Sequence, residues 1–318
     1  MGDPAPLLGI AGAPSPGAGY AEWFRGVGDV RLRAALFPAL VSEPRGSVIV
    51  SPGRTEPIEK YFEVVEDLRR RGFTVLVHDW RGQGLSHRLL ADRRLGHAAG
   101  AADFLNDYRI LLDVFAARLP TPWIAMGHSM GGCLTLLALA RGERRFSAAI
   151  LSAPMLGLKT GAIPLSVGRL LGAAARRVGM GGRPFQSGGS DDAPFEANML
   201  THDRARYERA AAQVAANPEL GLGSPTWGWI DFAFSATVEL QTGPGVMAIT
   251  TPVTVVVAGE DRLVDNVAAK RVAARMPKGR FIEIAGAYHE ILQETDAMRA
   301  AFWTAFDALI GENQAGVV

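Results

Sequence analysis

The chain has 318 residues, 48% of them hydrophobic, with 33 basic against 32 acidic side chains and one cysteine. That near-neutral balance argues against a nucleic-acid binder, which would show a marked basic excess or a long basic stripe. A single cysteine excludes a disulfide framework and fits a reducing compartment, so a cytoplasmic setting is expected. No apolar run approaches the roughly 18 residues of a membrane span.

Residues 1–18 are rich in Pro, Gly and Ala, lack a charged n-region, and read as a disordered tail rather than a signal peptide. Residues 22–27 and 31–37 read as an antiparallel pair of strands, and 47–51 as a third, followed by a helix over 58–71. A strand at 74–79 runs into a glycine-rich loop. Over 101–118, Phe104, Leu105, Tyr108, Leu111, Leu112 and Phe115 recur at helical spacing. Strands follow at 123–126, 148–152, 252–258 and 280–284, before a C-terminal helix. This alternation predicts an α/β fold, a mostly parallel sheet flanked by helices.

The alternation stops between residues 152 and 252, a gap far longer than a strand–helix–strand connection needs. Residues 19–153 and 251–318 are therefore expected to form the core, with 154–250 an inserted, mainly helical cap. Residues 163–178 place Ile163, Val167, Leu170, Leu171, Ala174 and Val178 on one helix face. That face would pack on the main domain, or touch lipid or an acyl chain, with Leu170 as a substrate contact. Residues 179–189 form a glycine-dense, hinge-like stretch. A helix over 201–216 carries Arg204, Arg206 and Arg209, read as a solvated face.

Chemistry enters at Gly127-His128-Ser129-Met130-Gly131, a G-x-S-x-G between a strand-like run and the helix-forming run 133–140. A serine on a sharp strand-to-helix turn projects its hydroxyl, and small neighbours let the chain bend that tightly. Serine is a weak nucleophile until a histidine takes its proton and a carboxylate orients that histidine. Such partners follow in the order acid, then histidine, each just after a strand. Asp261 comes first after the turn at Gly259, ahead of its rival Asp265, while Glu260 also competes. His289 follows the strand at 280–284. His78, His87, His97 and His202 lie too early in the chain, and His128 points away from Ser129. Gln293 occupies the second ligand position of H-E-x-x-H after His289-Glu290, so no metal is expected. Cys133 reads as a small core residue.

Several segments together are similar to the monoglyceride lipase and lysophospholipase branch of the α/β-hydrolases, a serine aminopeptidase-like family. They are Ser51-Pro52-Gly53-Arg54 with Glu56, Lys60 and Tyr61; Asp79-Trp80-Arg81-Gly82-Gln83-Gly84-Leu85-Ser86; and the serine turn itself. The lysophospholipase members are resembled further at Leu200-Thr201-His202, Gly223-Ser224-Pro225-Thr226-Trp227, Val264-Asp265-Asn266 and Gly286-Ala287-Tyr288-His289. The likeness runs from about residue 45 to 300, cap included. It implies the α/β-hydrolase fold, a Ser129–His289–Asp261 triad, and an oxyanion hole from the backbone N–H groups of Arg54 and Met130.

Two positions depart from the pattern. Pro52-Gly53 stands where many relatives carry His-Gly, which leaves backbone donors intact. Arg54 is cationic where many relatives are small or apolar; its guanidinium suits a substrate phosphate, or an ion pair with a carboxylate such as Glu56.

The implied activity is hydrolysis of a single-chain lipid ester, a lysophospholipid first and a monoacylglycerol or simple ester second, with no cofactor. A hydrolase-fold binding protein without catalysis is the reading from another class. It is disfavoured because all three triad residues are present in order. No nucleic acid or obligate protein partner is expected; peripheral contact with the inner membrane face would run through the cap.

Overall fold

The computed structural model describes residues 2–159, 165–185 and 194–315. Nine strands build one sheet: β1 (Asp3–Ala5), β2 (Tyr20–Arg25), β3 (Arg31–Phe37), β4 (Ser47–Ser51), β5 (Thr74–His78), β6 (Trp123–His128), β7 (Phe146–Ser152), β8 (Val253–Ala258) and β9 (Gly279–Ile284). Their order is β1-β2-β3-β5-β4-β6-β7-β8-β9. β5, β4, β6, β7, β8 and β9 are parallel, whereas β1, β2 and β3 join at one edge antiparallel.

Period-two alternation of apolar side chains explains why both faces of this sheet are covered. Val48, Val50, Val75 and Val77 point to one side, where α1 (Phe62–Arg70) and α8 (Asp296–Ala315) bring Val64, Val65, Leu68, Phe302 and Phe306 against them. Ile49, Leu76, Ala125 and Val255 point to the other. There α2 (Ala101–Phe115), α3 (Ser129–Ala140) and α7 (Asn266–Arg275) supply Phe104, Leu111, Leu134, Leu137 and Val272.

The N-terminal tail differs from expectation. Residues 3–5 pair with β2, Asp3 opposite Trp23, and Arg33 donates to the Pro6 carbonyl at 3.0 Å. The open edge of β2 offers unpaired backbone groups, and an extended segment satisfies them.

Between β7 and β8 the described residues hold α4 (Leu165–Arg177), α5 (Arg204–Ala216) and α6 (Trp227–Thr242). Ile163 and residues 186–189, named in the sequence reading, lie outside the described residues. The apolar stripe of α4 faces outward, not onto the main domain: Val167, Leu170, Leu171 and Val178 are 42%, 67%, 48% and 71% exposed. The helix packs instead through Gly168 and Gly172. A Cβ at Gly172 would sit 3.0 Å from the Asp231 Cα of α6, and one at Gly168 would overlap the Phe234 ring. Backbone-to-backbone approach at two glycines one turn apart won over the larger stripe. An Arg176–Asp231 ion pair of 2.6 Å closes this contact.

α5 is fastened down as well. Arg206 and Arg209, read as a solvated face, both reach Glu63 on α1, Arg206 at 2.6 Å. Arg206 also meets Asp296 at 2.6 Å. The charges were legible in the sequence; their distant carboxylate partners were not.

Candidate active site

β6 delivers the chain into the turn and α3 carries it away, so Ser129 takes φ 49°, in the left-handed region that non-glycine residues avoid. The conformation is held because its neighbours lack side chains. A Cβ on Gly131 would run into the Ser51 and Pro52 carbonyls, and one on Gly132 would lie 2.8 Å from Pro154. Met130 lies in the first turn of the helix, where N–H groups have no intrahelical acceptor.

Asp261 and His289 lie on the loops that follow β8 and β9, at the same carboxyl edge of the parallel strands. His289 Nε2 is 3.0 Å from Ser129 Oγ, and His289 Nδ1 is 2.7 Å from Asp261 Oδ2. The other Asp261 oxygen accepts the Leu263 and Val264 N–H groups at 2.8 and 3.0 Å. Burial acts to raise the Asp261 pKa. The hydrogen bond and charge of His289, with the two amides, outweigh it and hold the carboxyl below its usual range. The rival Asp265 is an N-cap for α7, accepting from Val267 N at 2.8 Å, and Glu260 is exposed.

The loop after β4 is built from buried polar contacts. Glu56 accepts the Gly53 N–H at 2.6 Å and the Tyr61 hydroxyl at 2.6 Å, and pairs with Lys60 at 3.0 Å. Burial alone would raise the Glu56 pKa, but Lys60, His128, Tyr61 and Gly53 hold it to about 2. Gln83 brackets the loop, donating to the Gly53 carbonyl at 2.9 Å and accepting Thr55 N–H at 3.2 Å. Trp80 donates to the Pro52 carbonyl at 2.9 Å. The peptide that carries the Arg54 N–H is thus pinned on both sides. The Arg54 guanidinium donates to the Gly223 carbonyl of the cap and lies over the Trp229 ring, 5.3 Å from its centroid.

The histidine loop is clamped too. Lys60 bridges Glu56 to Glu290, the residue after His289, at 2.5 Å. Buried Glu294 accepts Tyr288 N–H at 2.9 Å and faces His202 Nδ1 at 2.7 Å, while the Leu200 carbonyl receives Glu290 N–H at 2.8 Å. The Leu200-Thr201-His202 segment therefore holds His289 in place from the cap side. His128 hydrogen-bonds the Ser152 carbonyl at 3.0 Å and packs 4.9 Å from the His289 ring; burial pushes its pKa down against the opposing pull of Glu56.

Ser129, Asp261 and His289 thus meet, Met130 follows the serine in the chain, and Arg54 lies on the loop after β4. Leu170 does not join them. Trp80, Gln83, Glu294 and Trp229 were quoted in matching segments, or not at all, without a role. For Trp80 and Gln83 the signal is a polar or aromatic residue inside a glycine-rich loop, where its bonds go to backbone; Trp229 and Glu294 carry no such local mark.

A doubly covered parallel sheet carrying a serine turn, an acid loop and a histidine loop at its carboxyl edge defines an α/β-hydrolase, and the chain is a serine ester hydrolase of that fold. A family model described as "Serine aminopeptidase, S33" matches residues 42–296, and the chain belongs to that family. It is 37% identical over 288 residues to lysophospholipase L2 of Escherichia coli, covering 87% of this chain and 83% of that protein. It is 28% identical to the monoacylglycerol lipase of Mycolicibacterium smegmatis, covering 86% and 91%. In fold it is similar to a soluble variant of monoglyceride lipase from Saccharomyces cerevisiae, with TM-score 0.76, 18% identity, and 97% and 99% of the two chains covered.

Proposed function

We propose that this hydrolase cleaves single-chain lipid esters, lysophospholipids first, through an acyl-enzyme on Ser129. The observation that carries the mechanism is the unbroken relay from Ser129 Oγ through His289 to Asp261, at 3.0 and 2.7 Å. Ser129 Oγ attacks the ester carbonyl as His289 Nε2 takes its proton. The backbone N–H groups of Arg54 and Met130 receive the oxyanion, and His289 returns the proton to the departing glycerol oxygen. Water, deprotonated by His289, then attacks the acyl carbon, and the proton goes back to Ser129 as the fatty acid leaves. Asp261 stabilises the imidazolium in both halves, and no cofactor enters.

The choice of lysophospholipid rests on the 37% identity to a lysophospholipase L2 across most of both chains, cap included. Monoacylglycerol is the second reading, favoured by the Mycolicibacterium relative. A hydrolysis panel of lysophosphatidylethanolamine, monoacylglycerol, p-nitrophenyl esters and aminoacyl amides decides between them. Highest kcat/KM on monoacylglycerol, or on an amide, would displace the lysophospholipid reading.

The contacts of Arg54 support a brace for the oxyanion loop more than a phosphate ligand. Arg54→Ala is expected to lower turnover of lysophospholipid and monoacylglycerol by the same factor, about 10- to 100-fold, as the loop drifts by up to an ångström. A loss of that size confined to lysophospholipid would make Arg54 the phosphate ligand instead.

Among the described residues no helix is long and apolar enough to cross a membrane. We place the protein in the cytoplasm, resting on the inner membrane face through the exposed stripe of α4, with Arg177 beside it. Leu170→Asp is expected to cut hydrolysis of vesicle-borne lysophospholipid by about 10-fold or more, the scale of burying one leucine, and to leave p-nitrophenyl butyrate unaffected. Equal loss on both substrates would refute the membrane contact.

A further inference from the structure

The side chains of the two oxyanion donors converge on one cap residue. Trp229 holds the Arg54 guanidinium against its ring face, 5.3 Å from the centroid, and donates its indole N–H to Met130 Sδ at 3.4 Å. Arg54 and Met130 follow different strands, β4 and β6, and Trp229, from outside the core, touches both.

Trp229 itself is firmly based. It lies in the first turn of α6, whose N-cap Thr226 accepts the Trp229 N–H at 3.3 Å. The segment before it pairs with the loop after β5: Gly96 N donates to Ser224 O at 3.0 Å, Thr226 N to Gly96 O at 2.8 Å, and Gly223 N to Arg94 O at 2.7 Å. His97 Nδ1 reaches the Thr226 hydroxyl at 2.8 Å. The far side of α6 receives α4 at Gly168 and Gly172. A path of direct contacts therefore leads from the exposed helix α4, through α6, to the loop and turn that carry both donors.

An oxyanion hole works only when its donors stand about 2.7–3.1 Å from where the charge develops, and donors on separate loops must be held at a set spacing. We propose that Trp229 is a positioning residue for that spacing, so that seating of the cap and assembly of the oxyanion hole are one event. The proposal rests on the reading of Arg54 and Met130 as the donors and adds the residue that aligns them. Its hydrogen bond and its cation–π contact go to the two donors, and it acts through them.

The test uses the full chain with p-nitrophenyl butyrate, whose acyl group needs little apolar wall, and with butylboronic acid, which forms a tetrahedral adduct on the serine. Trp229→Leu is expected to lower kcat about 10- to 100-fold with KM within about threefold, as for a weakened oxyanion donor. The inhibition constant of the boronic acid should rise by the same factor as kcat falls. Trp229→Phe keeps a ring beneath Arg54 but loses the N–H to sulfur, and should fall between wild type and the leucine variant; it carries the test if the leucine variant does not fold. A raised KM with unchanged kcat, or an unchanged boronate constant alongside a lowered kcat, would overturn the proposal. A wild-type chain that neither hydrolyses the ester nor binds the boronate would overturn the hydrolase reading beneath it.

Discussion

Ser129→Ala is expected to abolish covalent labelling by a fluorophosphonate and to lower ester turnover by about 10⁶-fold, the scale seen when a serine nucleophile is removed from an intact triad. The size follows from what is lost. Without Oγ no acyl-enzyme forms, and His289 Nε2, now 3.0 Å from an absent oxygen, has no proton to take. The variant should fold, because alanine keeps the Cβ and adds no new demand at φ 49°. An unchanged melting temperature with no labelling would assign the nucleophile. Labelling that persists in the variant would remove Ser129 from that role.

The second large effect concerns the acid. Asp261→Asn is expected to lower kcat by about 10⁴-fold, because an amide stabilises the wrong imidazole tautomer. The Asn oxygen can still accept the Leu263 and Val264 amides, so the loop keeps its shape. Its NH₂ would then face His289 Nδ1, forcing the ring proton onto Nε2, where it points at Ser129 instead of receiving from it. The comparison is Asp265→Asn, which should change neither kcat nor stability appreciably, since Asn caps a helix about as well as Asp. Reversal of the two effects, with both variants folded, would move the acid to Asp265.

The same substitution has a stability signature. The Asp261 pKa lies below its ordinary value, so ionised Asp261 stabilises the folded state above an unfolded pKa of about 3.9, and that contribution is lost as pH falls through the folded value. Asp261→Asn should therefore flatten the acid limb of the stability profile as well as remove activity.

Much of this protein was legible in one dimension. β3 and β4 occupy the bounds read for them, Arg31–Phe37 and Ser47–Ser51, because a short run of apolar side chains bounded by polar and turn residues needs no distant partner to be recognised. The serine turn was legible for a related reason. Gly127, Gly131 and Gly132 around Ser129 are local steric requirements of a single bend, and the strand and helix beside them are contiguous in sequence. Chain order then pointed to His289 and to the loop holding Asp261 and its rivals Glu260 and Asp265, since each loop follows a strand run that can be read directly.

Orientation was not legible in this way. The stripe of Val167, Leu170 and Leu171 on α4 looks like a packing face by helical periodicity, yet Gly168 and Gly172 form the contact. Periodicity reports which residues share a face, not which face another helix can approach more closely. Arg206 and Arg209 were visible as charges, but Glu63 lies 143 residues before the first of them, and no local pattern joins them. The edge strand at residues 3–5 was hidden likewise, because Pro4 and Ala5 have little strand preference and take that form only against β2.

What the sequence determined by itself is the candidate triad and the sheet edge on which its members stand, since both follow from short-range steric rules and from chain order. What only the tertiary structure decided is how those groups are held. Gln83 and Trp80 on the loop after β4, Glu294 against His202, and Trp229 across Arg54 and Met130 each act over tens to hundreds of residues of chain. Such contacts depend on where separate elements come to rest after the core has packed, a many-body outcome that no single segment encodes.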